Sequence, residues 1–242
     1  MTDTIRSLAD VRPGDICITK MGGFIPGVFP VAAGQLLLKD SFRVGPFRAD
    51  HVLICVEAGG DPDPDIPPLA VQAMPRGAEE IALTPAKHWT DGAVWFRLPE
   101  DYSGQAADAA AIARLFVSEK VPYSFLSYLA LAAWSRGLKA ERLERWIDRR
   151  QPGTKRLLQT GYDEIGQRPI FSPRVELFRL PAEAICSVLV DQAWSLAGKR
   201  VIEGVARQCV TPGMMAIQLN RRPRVLRAGP GFPTESARGW PA

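Results

Sequence analysis

The first hundred residues consist of short apolar runs separated by proline, glycine and aspartate, a pattern typical of β-strands joined by turns. The predicted strands cover residues 15–20, 51–58, 69–73, 80–83 and 93–98. Residues 52–56 are apolar without a break, which indicates a central strand that is buried on both faces. A Pro-Arg-Gly sequence at residues 75–77 predicts the turn between the third and fourth of these strands.

Helical spacing dominates much of the later chain. Helices are predicted at residues 105–119, 125–134 and 139–150, and a further helix contains Cys186 and ends at Gly198. Pro181 and Glu183 mark the start of that last helix, because proline and acidic residues are common in a first turn. Strands therefore precede helices, and a late strand pair is expected to close the fold. This order predicts an α+β fold in which an antiparallel sheet packs against helices.

His51 and Cys186 are the candidate chemical pair. His51 opens the apolar strand, and Cys186 lies in the first turn of the late helix. A thiol becomes a strong nucleophile as the thiolate, which a neighbouring imidazole and a helix N-terminus both favour. The pair therefore suits a thiol hydrolase with His51 as base and Cys186 as nucleophile. The alternative is structural, because cysteine often serves as a small buried hydrophobic residue.

Five short segments carry a resemblance to a known family. They are residues 12–18 (RPGDICI), 50–54 (DHVLI), 122–126 (PYSFL), 185–190 (ICSVLV) and 211–214 (TPGM). In this order the chain resembles the circularly permuted branch of the NlpC/P60 papain-like superfamily, which includes the lecithin:retinol acyltransferase-like proteins. The segments resemble its opening turn and first strand, its histidine strand, an aromatic segment, the nucleophile helix, and a turn that leads to another strand.

The resemblance implies a permuted papain-like fold of the NlpC/P60 type, with an antiparallel sheet packed against helices. We predict one such domain over residues 1–228, with an insertion at about residues 135–181 that is atypical of the family. Residues 229–242 would form an extended tail. The implied fold places the candidate cleft between the helix of Cys186 and the strand of His51.

The implied activity is that of a cysteine peptidase or amidase that acts on amide bonds, such as those of a peptidoglycan peptide. Cys186 would form the acyl-enzyme, His51 would act as base, and Gln72 would orient the imidazole. Tyr123 and Ser187 are implied to bind the substrate. The resemblance implies no cofactor and no metal.

The chain departs from the family pattern at several positions. Val188 replaces a frequent acid, Met214 replaces the aspartate of the late turn, and Gln72 stands where many relatives have Glu, His or Asn. A glutamine can accept the imidazole N–H and fix the tautomer, but it cannot stabilise an imidazolium by charge. On this reasoning Gln72→Glu would retain or raise activity.

Composition narrows the remaining possibilities. The 242 residues, with 46% hydrophobic and 23% charged, suit one globular domain with an insertion. The two histidines and four well-separated cysteines form no zinc-binding pattern. The net charge of +4 is not arranged with aromatic residues as in a nucleic-acid surface. The first residues show no signal peptide, which predicts a cytoplasmic protein or a part of a secreted or virion assembly.

Residues 22–38 are uncharged, yet their prolines and glycines argue against an integral membrane segment. They predict a loop and a short helix, or else an apolar lid or acyl-chain groove. Three functions therefore stay open. The first is the amide hydrolase, and the second is a lipid acyltransferase or thioesterase. The third is a non-catalytic interaction protein of a larger assembly, with protein partners bound through the 135–181 insertion.

Overall fold

The computed structural model describes residues 4–19, 43–44, 47–48, 51–60, 66–123, 185–203 and 210–230. Within these ranges the strands are β1 (Ile16–Thr19), β2 (Arg43–Val44), β3 (Phe47–Arg48), β4 (His51–Glu57), β5 (Leu69–Met74), β6 (Gly77–Ala82), β7 (Ala93–Arg97) and β8 (Leu226–Ala228). The helices are α1 (Pro85–His88), α2 (Ser103–Ser118), α3 (Cys186–Leu196) and α4 (Pro212–Arg221), and 3₁₀ turns lie at Leu8–Asp10 and Glu100–Tyr102.

The strands form a six-stranded sheet in the order β6-β5-β4-β1-β7-β8, and β2 pairs separately with β3. Every neighbouring pair in the six-stranded sheet is antiparallel. The prediction of an α+β fold with an antiparallel sheet is therefore confirmed at this level. The prediction that the strand opened by His51 is central is also confirmed, because β4 lies between β5 and β1.

Both faces of the central strand β4 are buried. On one face Val52, Ile54 and Val56 of β4 belong to the core that also contains the apolar residues of α2 and α3. On the opposite face Leu53 and Cys55 join a second core with the N-terminal segment, whose contributing residues are Ile5, Leu8 and Val11. Alternate residues of β4 thus fill two different cores, which explains why the strand is apolar at nearly every position.

Residues 211–214 correct one expectation. Their resemblance to a family turn predicted a following strand, but they begin helix α4. The Thr211 hydroxyl accepts a hydrogen bond from the Met214 backbone N–H at 3.0 Å, and Pro212 occupies the first helical turn. Both are favourable helix starts, and Met215 and Leu219 then lie one turn apart in the core. In place of the expected late strand pair, the described residues contain one late strand, β8, which pairs with β7.

Several predictions concern residues outside the described ranges. These are the predicted helices at residues 125–134 and 139–150, the insertion at 135–181, the apolar segment at 22–38, and most of the tail at 229–242. The proposed domain boundaries therefore stay predictions. In the part of the chain that the structure describes, no helix is both long enough and apolar enough to cross a membrane.

Candidate active site

His51 and Gln72 form the first part of the candidate site. Leu53 of β4 lies opposite Gln72 of β5, so Gln72 is diagonal to His51 on the same face of the sheet. The Gln72 Oε1 atom lies 2.7 Å from His51 Nε2. The contact expected from the sequence is therefore present, while the catalytic role of both residues stays a prediction. Both side chains are buried, with exposed fractions of 5% for His51 and 9% for Gln72.

Glu79 extends this contact on the side away from the histidine. It lies opposite Gln72 in the β5–β6 hairpin, and Gln72 Nε2 donates a hydrogen bond to Glu79 Oε1 at 2.8 Å. The Gln72 amide therefore points its N–H groups at Glu79 and its carbonyl at His51. Because the carbonyl oxygen can only accept, His51 carries its proton on Nε2 and leaves Nδ1 as the proton acceptor.

Burial sets the charge state of His51. Removal from water, together with a smaller effect of the nearby His88, lowers the pKa of the imidazole from 6.5 to about 4, against the opposing effect of the Gln72 hydrogen bond. At pH 7 the ring is neutral, with about one molecule in a thousand protonated. A neutral ring with an unprotonated Nδ1 is the state that a general base requires.

His88 has a structural place beside this site. It ends α1, its Nδ1 accepts the backbone N–H of Thr84 at 2.9 Å, and its carbonyl accepts the indole N–H of Trp95 at 2.8 Å. It is buried, and these two backbone contacts give His88 a structural role.

Cys186 is the first residue of α3 and is 3% exposed. The N-cap residue, Ile185, has an extended backbone and a side chain that cannot accept a hydrogen bond. The first-turn N–H groups of α3, those of Ser187 and Val188 among them, have no carbonyl to bind within the helix. The start of α3 therefore presents backbone donors and the positive end of the helix dipole beside the thiol.

The C-terminal end of α3 fixes its direction relative to β4. A Cβ atom added to Gly14 would lie 3.0 Å from Trp194 Cζ2, and the Gly14 N–H donates to the Cys55 carbonyl at 2.9 Å. Trp194 therefore lies near the Cys55 end of β4, and α3 packs on β4 and β5. Eight helical residues back from Trp194 span about 12 Å, and four strand residues back from Cys55 span about 13 Å. Cys186 and His51 thus lie at the same end of the sheet.

Tyr123 also lies at this end of the sheet. The Val121 carbonyl, two residues before it, accepts the Ala78 N–H at 2.9 Å, next to the turn of the β5–β6 hairpin. Burial, and then the proximity of Cys186, raise the pKa of the Tyr123 phenol above its ordinary value. The phenol therefore keeps its proton and can donate a hydrogen bond near the thiol.

The His51 imidazole and the Cys186 thiol lie on different faces of the sheet at this end. Strand alternation puts His51 on the face of Leu53 and Cys55, whereas Cys186 packs in the core of the helical face. A catalytic dyad therefore requires the imidazole and the thiol to meet around the start of β4.

Ser187 is fully buried, and its hydroxyl donates to the Val210 carbonyl at 2.7 Å. This bond holds the start of α3 to the segment before α4. The burial and the occupied hydroxyl argue against the substrate contact predicted for Ser187 from the sequence, and we leave this residue out of the proposed substrate site.

Among the described residues, no group of three or more His, Cys, Asp or Glu side chains is arranged to hold a metal ion. Comparison with protein families, with curated proteins and with solved structures finds no match for this chain. The function is therefore argued from the site itself.

Proposed function

We propose that this protein is a cysteine hydrolase that cleaves amide bonds through an acyl-enzyme on Cys186, on a permuted papain-like fold. The observation that carries the proposal is the 2.7 Å hydrogen bond between Gln72 and His51, at the end of the sheet where Cys186 begins α3. It supplies a buried, neutral base whose tautomer is set. The six-stranded antiparallel sheet with helices on one face is compatible with that fold.

The proposed reaction follows from these groups. Nδ1 of His51 takes the thiol proton as the Cys186 sulfur attacks the substrate carbonyl. The resulting imidazolium gives this proton to the leaving amine, and the acyl group stays on sulfur as a thioester. Water then attacks the thioester while His51 accepts its proton, and the returned proton restores the thiol as the acid product leaves.

The resting dyad is neutral in this proposal. An ordinary thiol has a pKa near 8.5, so proton transfer to an imidazole with a pKa of about 4 costs roughly 6 kcal/mol. A helix N-terminus offsets at most about 2 kcal/mol of this cost. The thiol therefore ionises as it attacks, rather than forming a standing thiolate–imidazolium pair.

The developing oxyanion needs donors that are already in place. The first-turn N–H groups of α3 are one source, and the Tyr123 hydroxyl, which keeps its proton, is another. Tyr123 is therefore retained as the residue proposed to contact the substrate.

The test uses three probes that would each acylate the Cys186 sulfur: a peptidyl aminomethylcoumarin amide, p-nitrophenyl acetate and a long-chain acyl thioester. We expect release of the coumarin and, with the acetate ester, an added acetyl group that peptide mass spectrometry locates on Cys186. Cys186→Ala should remove both signals. Cys55→Ala is the matched control, because it deletes a buried thiol near the opposite end of β4, four residues along the strand from His51.

His51→Asn completes the set by removing the base while keeping a polar side chain. We expect it to lower kcat by about 100-fold or more, as loss of a general base does. Acylation by the thioester alone would favour the acyltransferase function. No acylation of Cys186 by any probe in the folded protein would contradict a catalytic role and would favour the hypothesis of a non-catalytic interaction protein.

A further inference from the structure

Glu79 is the one charged side chain that the described contacts connect to the Gln72 amide. It lies on β6, opposite Gln72, and is partly buried. Its neighbour Glu80 faces the other way and pairs with Arg114 at 2.7 Å on the surface. Two adjacent glutamates of one strand thus have different surroundings, and one of them connects to the histidine through a single amide.

We infer that Glu79 is a positioning residue that sets the tautomer of His51 by fixing the orientation of the Gln72 amide. The inference rests on the proposed function, since it concerns the base of that reaction. An amide can present either its carbonyl or its N–H groups to a neighbour, but a carboxylate can only accept. Glu79 therefore requires the N–H side of Gln72, and the carbonyl is left to face His51.

The consequence for His51 follows directly. With the carbonyl of Gln72 at Nε2, the ring proton stays on Nε2 and the lone pair stays on Nδ1. If the amide rotated, its N–H groups would face His51 and Glu79 would face an oxygen. The favoured tautomer would then place the proton on Nδ1, where it blocks the acceptor of the thiol proton. Glu79 prevents this exchange without touching His51 or any substrate.

Glu79→Gln tests the inference, because the glutamine keeps the shape of the side chain but can donate as well as accept hydrogen bonds. The new amide can meet Gln72 in either orientation, so both tautomers of His51 become accessible. Glu80→Gln is the matched control, since it removes the same charge from the next residue of β6 and leaves Gln72 untouched.

The first readout is the ¹⁵N NMR spectrum of the imidazole at pH 7, which separates protonated from unprotonated ring nitrogens. The chain has two histidines, and His88→Gln assigns the signals. We expect Nε2–H alone in the wild-type protein and in Glu80→Gln, and a mixture of tautomers in Glu79→Gln. An unchanged Nε2–H tautomer in Glu79→Gln, with the melting temperature retained, would overturn the inference.

The second readout is kinetic. Glu79→Gln should lower kcat about 10-fold with little change in KM, within the range seen for outer partners of functional histidines. Glu80→Gln should leave both unchanged. Because the tautomer is measured without substrate, the two failures can be told apart. An inactive wild-type protein would contradict the proposed function, while the NMR spectrum would still decide the role of Glu79.

Discussion

Acid should destabilise this protein through His51. Burial holds the pKa of the folded-state imidazole at about 4, below the 6.5 of an imidazole in water. Between these values the unfolded chain binds a proton that the folded chain excludes. The stabilisation is therefore fully present above pH 6.5 and is lost as the pH falls toward 4. A shift from 6.5 to about 4, at about 1.4 kcal/mol per pH unit, amounts to about 3 kcal/mol over the full window.

The assay is urea unfolding at several pH values between 7 and 4.5, comparing the wild type with His51→Gln. The variant side chain is neutral throughout and can still bond to Gln72, and all other titrating groups are common to both proteins. We expect the free energy of unfolding of the wild type to fall by about 2 kcal/mol more than that of the variant over this range. The difference is smaller than about 3 kcal/mol because pH 4.5 is still above the folded-state pKa of about 4. Parallel stability curves for the two proteins would refute the conclusion that His51 is buried as a neutral base.

Two further results are expected. Iodoacetamide should label Cys186 of the folded protein faster than Cys17 or Cys55. The reason is that burial raises the pKa of the Cys17 and Cys55 thiols, that of Cys55 to about 12. Equal labelling of the three thiols would contradict the prediction. Gly14→Ala should lower the free energy of unfolding in urea by about 2–4 kcal/mol, since Gly14 has a φ of +90° and the new Cβ would lie 2.8 Å from the Ala106 Cβ. A decrease below about 1 kcal/mol would show that the turn adjusts freely.

The strands were predictable because burial on two faces leaves a strong signal in the sequence. The unbroken apolar run in β4 indicated a central strand, and β4 does lie inside the sheet with a core on each side. Helix α4 was not predicted, because residues 211–214 resemble a family turn that leads to a strand. Thr211 before Pro212 is itself a favourable helix start, and the apolar spacing that follows agrees with it.

The site was predictable only in part. The His51–Gln72 contact was expected from the resemblance, but Glu79 was missed because β6 was predicted to begin at residue 80. The short turn at residues 75–77 contained the necessary signal, since a hairpin that pairs Met74 with Gly77 also pairs Gln72 with Glu79. Contacts between sequence-distant elements, such as that of Ser187 with the Val210 carbonyl, left no comparable local signal.

Glu79 also changes the result expected for Gln72→Glu. From the sequence alone this substitution would retain or raise activity, because a carboxylate stabilises an imidazolium. In the structure the new carboxylate would lie about as close to Glu79 as the amide it replaces, at 2.8 Å. Two full charges at that distance repel by roughly 6 kcal/mol at an effective dielectric constant of 20, so one group must take up a proton or the pair must separate.

We therefore expect Gln72→Glu alone to lose stability and to lower kcat. Adding Glu79→Gln should reverse both effects, because the amide at position 79 can donate to the carboxylate at position 72 while that carboxylate accepts from His51. The pKa of His51 should then rise, and the acid limb of kcat/KM should move to higher pH. The decisive comparison is the double variant against the single variant. If Gln72→Glu alone is as active and as stable as the double variant, the two side chains are not coupled, and the argument that Glu79 controls the Gln72 amide fails.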